Sequence, residues 1–188
     1  MKLHLFGASG AGVTTLGHAL SELLSVPYFD TDAYFWLPTE PPYTQRRPVA
    51  ERDALLAHDL ALPPSWILGG SVVGWGEHWL TAFDLAVFLW LPPALRLHRL
   101  HQREQTRYGD AIRHDPARAE QLRAFLAWAA GYDDNSSGGS RTLANHTRWL
   151  SHFSCPVLEL RGDLTVAERV ARVQAAWQPT GHAIGARL

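Results

Sequence analysis

The stretch Gly7-Ala8-Ser9-Gly10-Ala11-Gly12-Val13-Thr14-Thr15 decides the fold of this chain. A short apolar run, Lys2 to Phe6, leads into it, and an amphipathic segment from about Thr14 to Leu24 leads out, so it joins a strand to a helix. Gly7 and Gly12 stand at the two glycine positions of the phosphate-binding consensus G-x-x-x-x-G-K-S/T, and Thr14 at its hydroxyl position. Glycines let such a loop fold into a concave nest whose N–H groups point at phosphate oxygens, and the following helix adds its positive end. A plain strand-to-helix turn needs one or two glycines, not Gly7, Gly10 and Gly12 in frame with Thr14-Thr15. Nor is this the dinucleotide pattern G-x-G-x-x-G, because the second glycine falls at Gly10. Asp30 or Asp32 could serve as the acid that pattern needs, but the Thr14-Thr15 pair and the short chain argue against it. Gly7 and the run Ser9, Gly10, Ala11, Gly12, Val13, Thr14 and Thr15 are therefore read as a triphosphate site, with the Thr14 hydroxyl directed to Mg²⁺.

The lysine position of the consensus holds Val13. That lysine ordinarily reaches the β- and γ-phosphates and neutralises charge in the transition state. No other lysine can replace it: Lys2 is the only one among 17 basic residues, and it enters the first strand from the far end. Any cation that meets a phosphate here is a guanidinium, whose planar fork suits phosphate oxygens.

Outward from the loop, apolar runs alternate with amphipathic segments, the pattern of a parallel sheet with crossover helices. Pro27-Tyr28-Phe29 is a second strand that ends in Asp30-Thr31-Asp32, and Trp66-Ile67-Leu68 a third that runs into Gly69-Gly70-Ser71. Leu85 to Leu91 is a fourth, apolar throughout as a strand covered on both faces is, and Val157 to Leu160 a fifth. Further helices are expected at about Val49–Leu60, Ala94–Arg107, Pro116–Ala130, Thr142–Phe153 and Thr165–Trp177. The proline-rich Pro38–Pro48 is a surface excursion, Asp133–Ser140 a Gly/Ser-rich mobile loop, and 178–188 an unpatterned tail expected to be disordered. Residues 1–177 then form one three-layer α/β domain, for which 46% hydrophobic residues in 188 is ample core.

Net charge of −1 offers no electrostatic reason for a nucleic-acid backbone or an anionic membrane as partner. Cys155 is the single cysteine and reads as a buried, inert thiol. The ten histidines lack ligand spacing, so no zinc site is expected. No secretion leader and no apolar stretch of about 18 residues is present, so the expectation is a soluble, cytoplasmic protein.

Taken with Asp30-Thr31-Asp32, Gly69-Gly70-Ser71 and the arginine-rich region around Arg103 to Tyr108, the loop resembles the small P-loop kinases grouped with adenylate kinase and shikimate kinase. The likeness runs to about Trp177. The chain is similar in particular to bacterial adenylate-kinase-like proteins whose loops also tend to lack the lysine, some of them described as DNA topology modulation proteins. This resemblance implies a five-stranded parallel sheet in the order 2-3-1-4-5, an acceptor-binding excursion over about 33–64, and a mobile lid over about 103–116 that closes on ATP.

It also implies roles. Asp30 and Asp32 match an Asp-x-Asp pair of which one carboxylate helps hold Mg²⁺ and the other binds an acceptor hydroxyl or acts as base. On extended chain both would point one way at the carboxyl end of a strand, where α/β ligands bind; an Asx turn with a helix cap is the structural alternative. Gly70 and Ser71 fall where shikimate kinases let substrate approach the backbone. No Asp-Gly of the adenylate kinase type stands there, which leaves Mg²⁺ to Thr14 with Asp30 or Asp32. Arg96, Arg99, Arg103 and Arg107 recur at helical steps on one face, with Leu95, Leu97 and Leu100 expected elsewhere. A solvated role is expected for Arg96 and Arg99. Arg103 and Arg107, beside the hinge-like Tyr108-Gly109, match lid arginines and with Arg113 are candidates to replace the lysine. Arg46 and Arg47 are candidates for an anionic group on the acceptor, and Gly162-Asp163 for the adenine. Trp36, Trp75, Trp79 and Trp128, with Tyr34 and Phe35, are either core or a stacking wall for a flat acceptor, Trp75 being the candidate contact.

The function expected from these residues is transfer of the γ-phosphate of ATP, with Mg²⁺, to a nucleotide or other small hydroxylated acceptor. The rival is a nucleotide-binding sensor or regulator in which Val13 marks lost catalysis. A DNA-acting role finds no basic patch in the sequence.

Overall fold

The computed structural model describes residues 1–177; the tail expected to be disordered, 178–188, lies outside the described residues. Five strands form one parallel sheet: β1 Lys2–Gly7, β2 Tyr28–Asp30, β3 Trp66–Gly69, β4 Leu85–Trp90 and β5 Val157–Arg161, in the order β2-β3-β1-β4-β5. The register aligns Leu5 and Asp30 with Gly69 and Gly7 with Leu89, so the loops that leave β1, β2 and β3 emerge side by side at the carboxyl edge. That edge is where ligands of open α/β sheets bind.

Helices α1 Val13–Leu24, α2 Thr31–Phe35, α3 Val49–Ala61, α4 Pro93–Tyr108, α5 Ala111–His114, α6 Pro116–Ala130, α7 Leu143–Leu150 and α8 Val166–Ala176 surround the sheet. Alternation along β1 and β4 divides the interior. Leu3, Leu5, Val87 and Leu89 meet Leu16 and Leu20 of α1 and Val173 of α8. Phe6, Ala86 and Phe88 point the other way, toward Leu56 and Leu60 of α3 and Trp149 of α7. Cys155 is half-buried against this second cluster, and burial pushes its thiol up. No described helix is long and apolar enough to cross a membrane.

The elements differ from the sequence expectation in places with local causes. The last helical turn expected up to Phe153 is absent: α7 ends at Leu150, while Thr142 caps its start by accepting from the Asn145 N–H. Three pieces carry no legible pattern because each is a single turn: α2, α5 and a 3-10 turn at Glu77–Trp79. The α2 turn matters most. Asp30 Oδ1 accepts from the Asp32 N–H at 3.0 Å and starts a helix where extended chain was expected.

Candidate active site at the phosphate loop

Gly10 and Gly12 hold φ of 83° and 95°, left-handed values that cost little only without a Cβ. Space is equally restrictive. A Cβ on Gly10 would lie 2.8 Å from Leu100 Cγ and 2.9 Å from the Arg96 carbonyl oxygen, and one on Gly7 would lie 2.3 Å from the Leu89 carbonyl oxygen. The loop is thus pressed between β4 and α4, with the Ala11 N–H donating to the Ala8 carbonyl at 3.0 Å. Val13 packs against the Leu3–Leu16 side of the core. Thr14 and Thr15 are exposed at the start of α1.

Two arginines hold the loop from outside, and neither was expected there. Arg96 was expected to be solvated, yet it is wholly buried. Its Nη2 meets Asp133 Oδ2 at 2.6 Å, and its Nη1 donates to the Ala129 carbonyl at 2.9 Å and the Ser9 carbonyl at 3.4 Å. The reason is helical phase: Arg96, Leu100 and Glu104 form the buried stripe of α4, so Leu100 shares the face of Arg96 instead of lying opposite. Arg169, on α8, donates from Nη1 to the Ala11 carbonyl at 2.7 Å. Its spacing of four from buried Val173 was the available signal, obscured because arginine at such a position ordinarily marks the solvent face.

Beside the loop, Thr14 Oγ1 and Tyr28 Oη each donate to Asp30 Oδ2 at 3.3 Å. Burial pushes the Asp30 carboxyl up from its usual range, the adjacent Asp32 carboxylate adds to this, and the Asp32 N–H works against it. The Asp30–Asp32 pair is therefore not on extended chain. Asp30 ends β2 and caps α2, and Asp32 belongs to the first turn of α2. Both still line the cavity of about 900 Å³ over the loop. Thr14 Oγ1 and Asp30 Oδ2 are hard oxygens suited to Mg²⁺, which takes one or two carboxylates and completes its shell with phosphate and water. Among the described residues no cluster of three or more His, Cys, Asp or Glu could hold a metal without such help.

Gly7, Ser9, Gly10, Gly12, Val13, Thr14 and Thr15 line that same cavity, with Gly70 and Ser71 and with Arg47, Arg99, Arg103, Arg107 and Arg141. Arg99 thus faces this cavity, although it also pairs with Asp163 at 2.6 Å. Arg103 folds onto Glu104 at 2.7 Å, Arg107 stands 3.8 Å from the same carboxylate, and exposed Arg113 lines neither this cavity nor the next. A second cavity of about 700 Å³ adjoins the first. Phe35, Trp36, Tyr43, Phe125 and Trp128 supply its aromatic walls, and Arg46 and Arg118 add cations. Asp32, Arg103, Arg107 and Arg141 border both.

Not every expected contact faces these cavities. Trp75 turns inward: its Nε1 donates to the Ser71 carbonyl at 3.2 Å and the Arg52 guanidinium lies 4.2 Å above its ring, so it lines neither cavity. Trp79 and Tyr34 likewise belong to the core, and Phe125 and Tyr43 take their places in the wall. Arg47 is occupied by the Tyr34 carbonyl and by Glu51, while Arg46 lies 5.5 Å over the Phe35 ring. Gly162, at φ 91°, and Asp163 sit beyond β5 and reach the site only through Arg99. A buried chain that no local pattern signals runs behind Ser71. Its Oγ lies 3.0 Å from His146 Nε2, and His146 Nδ1 lies 2.8 Å from Tyr132 Oη, whose ring sits under Arg96 at 5.2 Å.

Comparison with known proteins agrees with this architecture. No family model matches. The uncharacterized protein YqaC of Bacillus subtilis (strain 168) is 45% identical over 172 residues, covering 92% of this chain and 94% of that protein. The chain belongs to the YqaC family. Among solved structures, shikimate kinase from Bacteroides thetaiotaomicron superposes with a TM-score of 0.55 at 19% identity, over 94% of this chain and 97% of that one. A gluconokinase from Sinorhizobium meliloti 1021 gives 0.51 at 15% identity, over 93% and 89%. The fold is that of the P-loop kinases. At these identities the likeness is one of fold, and function rests on the site.

Proposed function

We propose that the protein is a P-loop phosphotransferase that moves the γ-phosphate of ATP to a small hydroxylated acceptor. The observation that carries this reading is the pair of adjoining cavities, one over the phosphate loop and one aromatic and arginine-rich, which meet at Asp32, Arg103 and Arg107. Two substrates seated there would face one another with reacting groups at the shared wall, as transfer requires. Thr14 and Asp30 would hold Mg²⁺, which would neutralise charge developing on the transferring phosphoryl group. Asp32 would bind the acceptor hydroxyl and take its proton as the oxygen bonds to the γ-phosphorus and the bond to ADP breaks. Arg103 and Arg107, released from Glu104 by closure of residues 103–116, would supply charge that Val13 cannot. Arg46 suits an anionic group on the acceptor and the Trp36–Trp128 walls a flat one. The resemblance to lysine-lacking adenylate-kinase-like proteins supports the same assignment.

A second reading, a nucleotide-binding regulator without transfer, is favoured by Val13 and by the pairing of Arg103 and Arg107 with Glu104. Coupled ADP release across a panel of nucleotide, nucleoside and sugar acceptors separates the two. The phosphotransferase predicts acceptor-dependent ADP release that Arg107→Ala lowers about 100-fold or more. Tight ATP binding by calorimetry with no release for any acceptor would leave the regulator.

A further inference from the structure

Each arginine that lines the phosphate cavity already has a carboxylate. Arg47 pairs with Glu51, Arg99 with Asp163, Arg103 and Arg107 with Glu104, and Arg141 with Asp32. Buried Arg96, behind the loop, pairs with Asp133. Arg169 differs. It is 5% exposed, its Nε has no hydrogen-bond partner, and among the described residues no carboxylate lies within ion-pair distance. A buried charge without a counter-ion costs several kcal/mol unless something nearby compensates it. The groups with influence on it are Arg99, of like sign, and Asp163, which Arg99 already engages at 2.6 Å; burial first, then Arg99, pull its pKa down.

Its position explains why the chain tolerates that cost. Nη1 donates to the Ala11 carbonyl at 2.7 Å and lies 2.6 Å from where a Cβ on Gly12 would be. The guanidinium fills space that only a glycine at position 12 leaves, against the backbone from which α1 starts. We propose that Arg169 is the fixed positive charge of the phosphate loop, supplied through the backbone by the C-terminal helix in place of a mobile lysine at position 13. The counter-ion this buried charge lacks is then the polyphosphate of the bound nucleotide. A fixed charge behind the loop strengthens binding of ground and transition states alike, so Arg169 is a positioning residue that acts on affinity and leaves rate to the lid. This inference rests on the nucleotide-binding part of the proposed function.

Calorimetric titration with ATP, inorganic tripolyphosphate and adenosine tests it without turnover. Arg169→Gln should weaken ATP and tripolyphosphate about tenfold or more and change adenosine less than about twofold. Arg169→Lys should keep most of the affinity, and Val13→Lys added to Arg169→Gln should restore it. Equal tripolyphosphate affinity in native protein and Arg169→Gln overturns the inference. So does equal loss of adenosine and ATP that neither lysine repairs, because the arginine would then only shape the loop. Should Arg169→Gln not fold, Val13→Lys in the native background decides: a loop already charged gains less than about twofold for tripolyphosphate, and a gain of about tenfold refutes the proposal. Native protein that binds no phosphate compound at all would sink the nucleotide-binding reading itself, a result distinct from equal binding by native and variant.

Discussion

Acidification from pH 7 to pH 5 should remove a large part of the stability of this fold, and two buried histidines set the amount. His4 and His146 are both wholly buried, and burial lowers each pKa from 6.5 to about 3. His4 is stacked between Phe6 and Phe83, with centroids at 5.0 and 4.6 Å, and its Nε2 has no partner. His146 lies between Ser71 and Tyr132, with the Arg141 charge adding to the effect of burial. Between pH 6.5 and 3 the unfolded chain therefore binds more protons than the native state, and stability falls as pH falls. For an unfolded pKa of 6.5 and a native pKa of about 3, each histidine loses about 2 kcal/mol on going from pH 7 to pH 5, or about 4 kcal/mol together. Against a typical total of about 5–15 kcal/mol this is a conspicuous change, and it precedes titration of ordinary carboxylates. Urea unfolding followed by tryptophan fluorescence at half-unit pH steps measures it. His4→Phe, which keeps the ring stack, should halve the slope. A loss below about 1 kcal/mol in the native protein, or an unchanged slope in His4→Phe, would refute the assignment of buried neutral imidazoles.

Two further substitutions probe the loop and its support. Gly10→Ala combines a left-handed φ of 83° with contacts of 2.8 and 2.9 Å to Leu100 and the Arg96 backbone. It should cost about 2–4 kcal/mol in urea unfolding and abolish measurable ATP binding; a fully stable variant with native affinity would contradict the close approach of α4. Arg96→Met strands Asp133 and frees the Ser9 carbonyl, and should cost about 3 kcal/mol. Adding Asp133→Asn should recover part of that loss, and a double-mutant cycle with no coupling would show that the pair is not formed in solution.

Much of the architecture is legible before any coordinates. The glycine loop, the apolar run at Leu85–Leu91 and the proline boundaries suffice for a parallel α/β sheet, while its order, β2-β3-β1-β4-β5, was implied by the resemblance to the small P-loop kinases. Helix α6 has the boundaries that Pro116 and its pattern imply. The loop, apart from Ala11, which was expected at the phosphates but is wholly buried in the core, reaches one cavity with Asp30, Asp32, Gly70 and Ser71, because each ends or follows a neighbouring strand. Side-chain direction is less legible. Asp30-Thr31-Asp32 was expected on extended chain, with a cap as the alternative, and only the hydrogen bond from the Asp32 N–H makes it a cap.

What the sequence by itself determined is therefore the phosphate loop, the sheet behind it and the missing lysine, because backbone conformation and strand burial follow from residue type at short range. What only the tertiary structure decided is where the compensating charges lie. Arg96 reads as a solvated residue and is buried; Arg169 lies 158 residues from the Ala11 carbonyl it holds. Periodicity shows which residues share a face, but not which face meets the loop. That depends on how α4 and α8 pack against β1 and β4, so the guanidinium held on the Ala11 carbonyl beside Gly12 becomes visible only once the helices are in place.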